Sequence, residues 1–130
     1  MPENTGAKKV MDQKEEMQNR LSLIEADREL ALQNTDAFKD AINNVLQCAK
    51  GDTGGSKRCA QYILSLWNGD YFKCDLQDLL YIDSEIHHQF LMIMDYLHKT
   101  NEQLYSFVDK EKIQPVIDVW GDVYSVKNKR

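Results

Sequence analysis

Residues 35–69 read TDAFKDAINNVLQCAKGDTGGSKRCAQYILSLWNG, two helical patterns separated by a glycine-rich loop. Phe38, Ala41, Ile42, Val45, Leu46 and Ala49 recur at i, i+3, i+4 and i+7, which gathers them on one face of an α-helix. Asn34 or Thr35 can cap that helix and Gly51 can stop it. After the loop at 51–55, Ser56 is placed to cap a helix over 57–67, ended by Asn68 and Gly69. Its Cys59, Ala60, Tyr62, Ile63, Leu64, Leu66 and Trp67 leave hardly a polar face, so this helix is expected at the centre of a bundle.

Working outward toward the N-terminus, residues 9–33 contain no Pro or Gly, and Val10, Met17, Ile24 and Ala31 recur every seven residues, joined by Leu21. This predicts a long helix. Leu23 and Leu30 widen its apolar surface, while Lys14 and Arg28 interrupt the seam that a sustained coiled coil would need. Toward the C-terminus, Asp75 can cap a short helix through Leu76, Leu79 and Leu80, and Asp83 can cap a long one over 84–107. Pro115 is best tolerated near a helix start, which places a last helix at about 115–123 burying Val116, Val119 and Trp120. No segment alternates with period two. The expectation is an all-α fold, a compact helical bundle of five to six helices with a long N-terminal helix. It divides into a disordered N-terminus (1–8), a helical arm (9–34), a bundle domain (35–124) and a basic tail (125–130).

Bulk properties bound the function. The 130 residues suit one domain, and a net charge of −5 opposes the positive footprint needed to hold a phosphate backbone. Acid is concentrated: over 70–122, eleven carboxylates face only Lys73, Lys99, Lys110 and Lys112, a balance that attracts basic partners. The first residues lack the apolar stretch of a secretory signal, and no run approaches the roughly 20 apolar residues of a membrane span, so a cytoplasmic chain with no membrane partner is expected. Cys48, Cys59 and Cys74 are odd in number and widely spaced, as reduced thiols are.

Motifs for chemistry are sparse. GDTGGSK at 51–57 opens a helix, so Ser56, Lys57 and Arg58 are candidate anion-binding residues. It is not a Walker loop, because the lysine follows Ser56 instead of preceding it and no strand leads in. Cys59 beside Arg58 in a first helical turn could have a lowered pKa, yet no spacing ties His87, His88 or His98 to it as a base. Glu85 and His88 form one Glu-x-x-His pair where a dinuclear metal site needs two. Asp75, Asp78, Asp83 and Glu85 could be read as an acid–base pair, but helix capping accounts for Asp75 and Asp83. No catalytic residue, metal ligand or cofactor is therefore expected. The remaining candidates are recognition residues, the acidic and aromatic cluster Asp70, Tyr71, Phe72, Asp75, Asp78, Tyr81 and Asp83, together with Trp67.

The run GDTGGSKRCAQYILSLWN, continuing through FKCDLQDLLYIDSEIHHQFLMIMDYL, resembles an uncharacterised family of small proteins encoded in bacteriophages, prophages and integrative elements. The features that carry the likeness are the turn at 51–56, the helix ending in Trp67 and Asn68, Asp75 with Leu76, and Asp83 ahead of a helix. It departs where relatives have a second Trp, since Leu66 stands there. The resemblance implies a helical domain from a mobile element and assigns no reaction. The function expected is a non-catalytic protein-binding module that occupies a host protein or complex through its acidic surface, such as an anti-CRISPR-like inhibitor of host defence. The alternatives are a helical DNA-binding regulator using Lys57 and Arg58, although a nucleic-acid partner is disfavoured by charge, and a Cys- or metal-dependent enzyme. A homodimer through residues 9–34 is compatible with each.

Overall fold

A computed structural model describes residues 5–126, and within them five α-helices account for the architecture. They are α1 (Thr5–Gln33), α2 (Thr35–Ala49), α3 (Gly54–Trp67), α4 (Ser84–Thr100) and α5 (Lys110–Tyr124). Two short 3-10 turns, Asp78–Leu80 and Leu104–Ser106, lie in the connections. The all-α bundle with a long first helix is as expected. Among the described residues the single β feature is an antiparallel bridge between Phe72 and Ser125.

α3 is the central element: Cys59, Ala60, Tyr62, Ile63 and Leu64 are buried, and α2 and α5 pack against it. α4 packs on α2 and receives the C-terminal end of α1. The sequence pattern of α2 is realised in full, with Phe38, Ala41, Ile42, Val45, Leu46 and Ala49 all buried. Aromatic stacking joins the layers. Phe38 stacks on Tyr96 at 3.8 Å between centroids and meets Phe107 edge-on at 4.9 Å, and Tyr62 lies parallel to Phe90 at 3.8 Å. The polar atoms of these large side chains are satisfied: Tyr62 donates to the Phe90 carbonyl (2.7 Å), Trp67 to Val108 (2.8 Å) and Trp120 to Gly51 (3.1 Å).

Several boundaries differ from expectation, each for a local reason. α1 begins at Thr5, not at Lys9, so residues 5–8, expected to be disordered, are helical; the expectation for residues 1–4, like that for the basic tail at 127–130, lies outside the described residues. Ser125 belongs to the bridge with Phe72, not to a tail. Neither Asn34 nor Thr35 caps α2 with its side chain; both reach back to α1, Asn34 donating to Leu30 O and Thr35 to Leu32 O (2.7 Å). Since the Thr35 proton is spent on Leu32, the 3.0 Å contact between Thr35 and Tyr96 hydroxyls is donated by Tyr96. This ties α1 to α4.

α3 starts three residues before Lys57 because Thr53, not Ser56, is its cap, accepting from the Ser56 amide at 3.0 Å. The helix expected around Leu76–Leu80 is only a 3-10 turn. α4 stops at Thr100 instead of reaching Phe107, because Asn101 takes the left-handed conformation (φ 57°) and Glu102 N–H closes on Leu97 O. α5 begins at Lys110, capped by Asp109, so Pro115 sits inside it; the Glu111 carbonyl it deprives of a partner is on an exposed turn that water can serve. Val119 is exposed and Trp120 half-buried, while Ile113, Val116 and Tyr124 face the core. The Asp109 carboxylate accepts from Lys112 N–H at 2.9 Å, and Asp109→Ala is expected to lower the unfolding free energy by about 1 kcal/mol in urea denaturation.

Candidate functional site

The segment between α3 and α4 has little regular structure, yet it is braced at both ends. At its start, Lys73 N–H bonds Tyr124 O (2.8 Å) and Val126 N–H bonds Tyr71 O (2.9 Å), holding residues 71–73 alongside the end of α5. The Phe72 ring is buried there beside Gly121 of α5, where an added Cβ would make only an ordinary 3.9 Å contact with the ring but would come within 2.9 Å of the Ile117 side chain. At its middle, the buried Gln61 of α3 accepts from Asp75 N–H (2.9 Å) through Oε1 and donates through Nε2 to Asp78. Arg58, one turn earlier on α3, pairs with the other Asp78 oxygen at 3.2 Å and lies over the Tyr81 ring at 5.8 Å. At its end, Asp83 caps α4 by accepting from Ile86 N–H (2.8 Å).

The expected recognition residues thus separate into roles. Gln61, Arg58 and Asp78 assemble the brace; Asp75 and Asp83 use one oxygen each to hold backbone, Asp75 on Gln77 N–H at 3.0 Å. Phe72 is a core residue and leaves the candidate surface. Asp70 lines an open groove with Trp67 and Tyr105, away from the Asp78 brace. Tyr71 and Tyr81 are exposed, and so are Leu76 (77%) and Leu80 (75%), which the sequence pattern assigned to the apolar side of a short helix. In the three-residue 3-10 turn that replaces that helix, Leu79 packs against the core while Leu76 and Leu80 project outward. No sequence signal marks them apart from ordinary core leucines.

The expected anion site fares differently. Ser56 is buried and its hydroxyl is shared with Thr53 (2.9 Å), its amide is taken by the cap, and Arg58 is committed to Asp78, so of the three only Lys57 projects freely into solvent.

Electrostatics follow the brace. Burial works to raise the Asp78 carboxyl, but hydrogen bonds from Arg58 and Gln61 and the charges of Arg58 and Lys57 outweigh it and hold the group below its ordinary 3.8. A depressed folded-state value stabilises fully above the ordinary carboxylate range, and the contribution fades as pH falls through the folded value. Asp78→Asn is therefore expected to cost stability at pH 7, with the gap from wild type closing below about pH 4 when unfolding is followed against pH. Beneath the brace, Tyr124 is pushed up to about 12 by burial and by the charges of Asp78 and Cys74, against Arg58.

Cys59 is fully buried; burial, a hydrogen bond with Cys48 and the charges of Cys48 and Asp83 push its thiol up, opposite to the direction a nucleophile requires. Cys48 and Cys74 are partly exposed. Labelling native protein with a maleimide and mapping peptides is expected to modify these two while Cys59 reacts only after denaturation. Among the described residues no group of three His, Cys, Asp or Glu side chains is placed to hold a metal ion. No described helix is long and apolar enough to cross a membrane.

The family model described as "Family of unknown function (DUF7673)" matches residues 39–121. The chain belongs to this family. The matched span begins within α2 and ends within α5, so it takes in the whole braced segment and leaves α1 outside. No curated protein and no solved structure matches the chain.

Proposed function

We propose that this DUF7673 protein is a non-catalytic binding module of a phage or other mobile element, and that it occupies a host protein, with a host-defence complex as the setting, through the braced segment 70–83. One observation carries this reading: Leu76, Leu80 and Tyr81 are held out in solvent on a turn that Gln61, Arg58 and Asp78 fix from behind. Large apolar side chains on a fixed backbone are what a partner buries at low entropic cost, and the neighbouring Asp75 and Asp83 bias that partner toward a basic rim. The commitment of Arg58 to Asp78 weighs against the DNA-binding alternative, because it takes the better phosphate ligand out of the pair with Lys57.

The test is affinity capture of the tagged chain from nuclease-treated host lysates followed by mass spectrometry. A stoichiometric protein partner is expected, lost with Leu76→Ser and Leu80→Ser together. These side chains are solvent-exposed, so the double variant keeps its fold. A partner that this variant retains, or recovery of nucleic acid alone, sinks the reading.

A further inference from the structure

α1 is 29 residues long, yet the body covers only its end: every side chain described from 9 to 30 is exposed, and Ala31 is buried. Val10, Met17, Leu21 and Ile24, each at least half exposed, continue the same helical face as Ala31. An apolar stripe that leaves the body and runs on into solvent is an incomplete interface. We propose that a second copy of the chain completes it, the two α1 helices pairing antiparallel with Leu21 opposite Ile24 of the partner subunit.

The charges select this arrangement. A parallel, in-register pair would set Lys14 against its own copy and Arg28 against its own copy inside the seam. In the antiparallel register Arg28 faces the partner's exposed Met17, so its aliphatic stem lies on apolar surface while its charge reaches water, and Lys14 comes level with the partner's Ala31 at the edge of the body. In the same register Arg20 and the partner's Asp27 lie on one flank of the seam, offset by about 3 Å along the axis, and two-fold symmetry repeats the pair. Among the described residues Arg20 is paired with Glu16 in an exposed i,i+4 bridge (3.1 Å), which is too weak to withhold it. The overlap from 14 to 31 spans about 27 Å of helix. Beyond it, the partner's Val10 and Met11 come level with Asn34 and Thr35. There a groove of about 210 Å³, lined by Ala31, Asn34, Phe38, Met92 and Tyr96 among others, opens at the foot of α1. Ala31 belongs to both stripe and groove, so the surface is continuous.

Sedimentation equilibrium of the full chain is expected to show a dimer, and Leu21→Glu with Ile24→Glu a monomer of unchanged circular dichroism, because both side chains are exposed. Arg20→Asp should weaken association roughly tenfold, as two attractions become repulsions. Adding Asp27→Arg should restore it, since the exchanged charges still oppose each other. In a parallel pair Arg20 would instead face the partner's Glu25, and the double variant would stay weak. A chain that remains monomeric up to about 100 μM, or a double variant no tighter than Arg20→Asp alone, overturns the proposal.

Discussion

Phe38→Ala is expected to remove about 4 kcal/mol from the unfolding free energy, a large share of the roughly 5–15 kcal/mol that holds a domain together. The side chain is fully buried, and its truncation empties a volume bounded by the Tyr96 ring on one face and the Phe107 edge on another. Helices α2 and α4 keep each other in place, so the gap cannot close by simple collapse. The loss spreads in a particular direction. Tyr96 carries the hydroxyl that bonds Thr35, and Thr35 in turn holds the Leu32 carbonyl at the end of α1. A Tyr96 ring freed of its stacking partner should loosen the foot of α1, and hydrogen exchange in Phe38→Ala should rise at residues 30–36 before it rises in α3. Urea unfolding followed by circular dichroism measures the main effect. A loss below about 1 kcal/mol would mean that the stack is not a keystone of the core.

The second large effect is expected at Gln61. Gln61→Leu preserves size in a position that is 1% exposed, but it removes two hydrogen bonds at once, one to the Asp78 carboxylate and one from Asp75 N–H. A bond to a charged group contributes more than a neutral one, and the two together should cost about 2–3 kcal/mol. For a chain of this length the melting temperature should fall by roughly 10 °C. The consequence for function is separable from stability. With Gln61 gone, the Arg58–Asp78 pair and the partly buried Leu79 are left to restrain the middle of the segment, so the presentation of Leu76, Leu80 and Tyr81 loosens. Partner capture should fall at temperatures where the bundle is still folded. If Gln61→Leu unfolds the bundle but binds normally below its melting temperature, the brace serves stability alone.

Gln61 also shows the limit of what could be read in advance. The sequence places it on a nearly all-apolar helix, where a lone glutamine attracts no notice; its importance depends on Asp75 and Asp78, more than a dozen residues away, folding back over α3. The same holds for Arg58, whose neighbourhood in sequence suggested an anion site and whose partner in space is Asp78.

What the sequence determined by itself was carried by local periodicity and, at Asp83, by local capping. The apolar spacing of α2, the all-round apolar character of α3, the length of α1 and the cap at Asp83 involve residues within about one helical turn of each other, and such interactions are encoded where they act. Tertiary structure decided what depends on residues far apart. Whether Leu76 and Leu80 are core or surface turned on the 75–80 stretch forming a short turn braced by Gln61 instead of a helix with a face to bury. Whether Phe72 and Tyr71 sealed the core or stood outside it turned on the bridge between Phe72 and Ser125, which alternates them inward and outward at the end of α5. The end of α4 belongs to both: Asn101 can adopt a left-handed conformation anywhere, but only the packing of Leu104 and Val108 into the core beyond it makes the turn there the favourable choice.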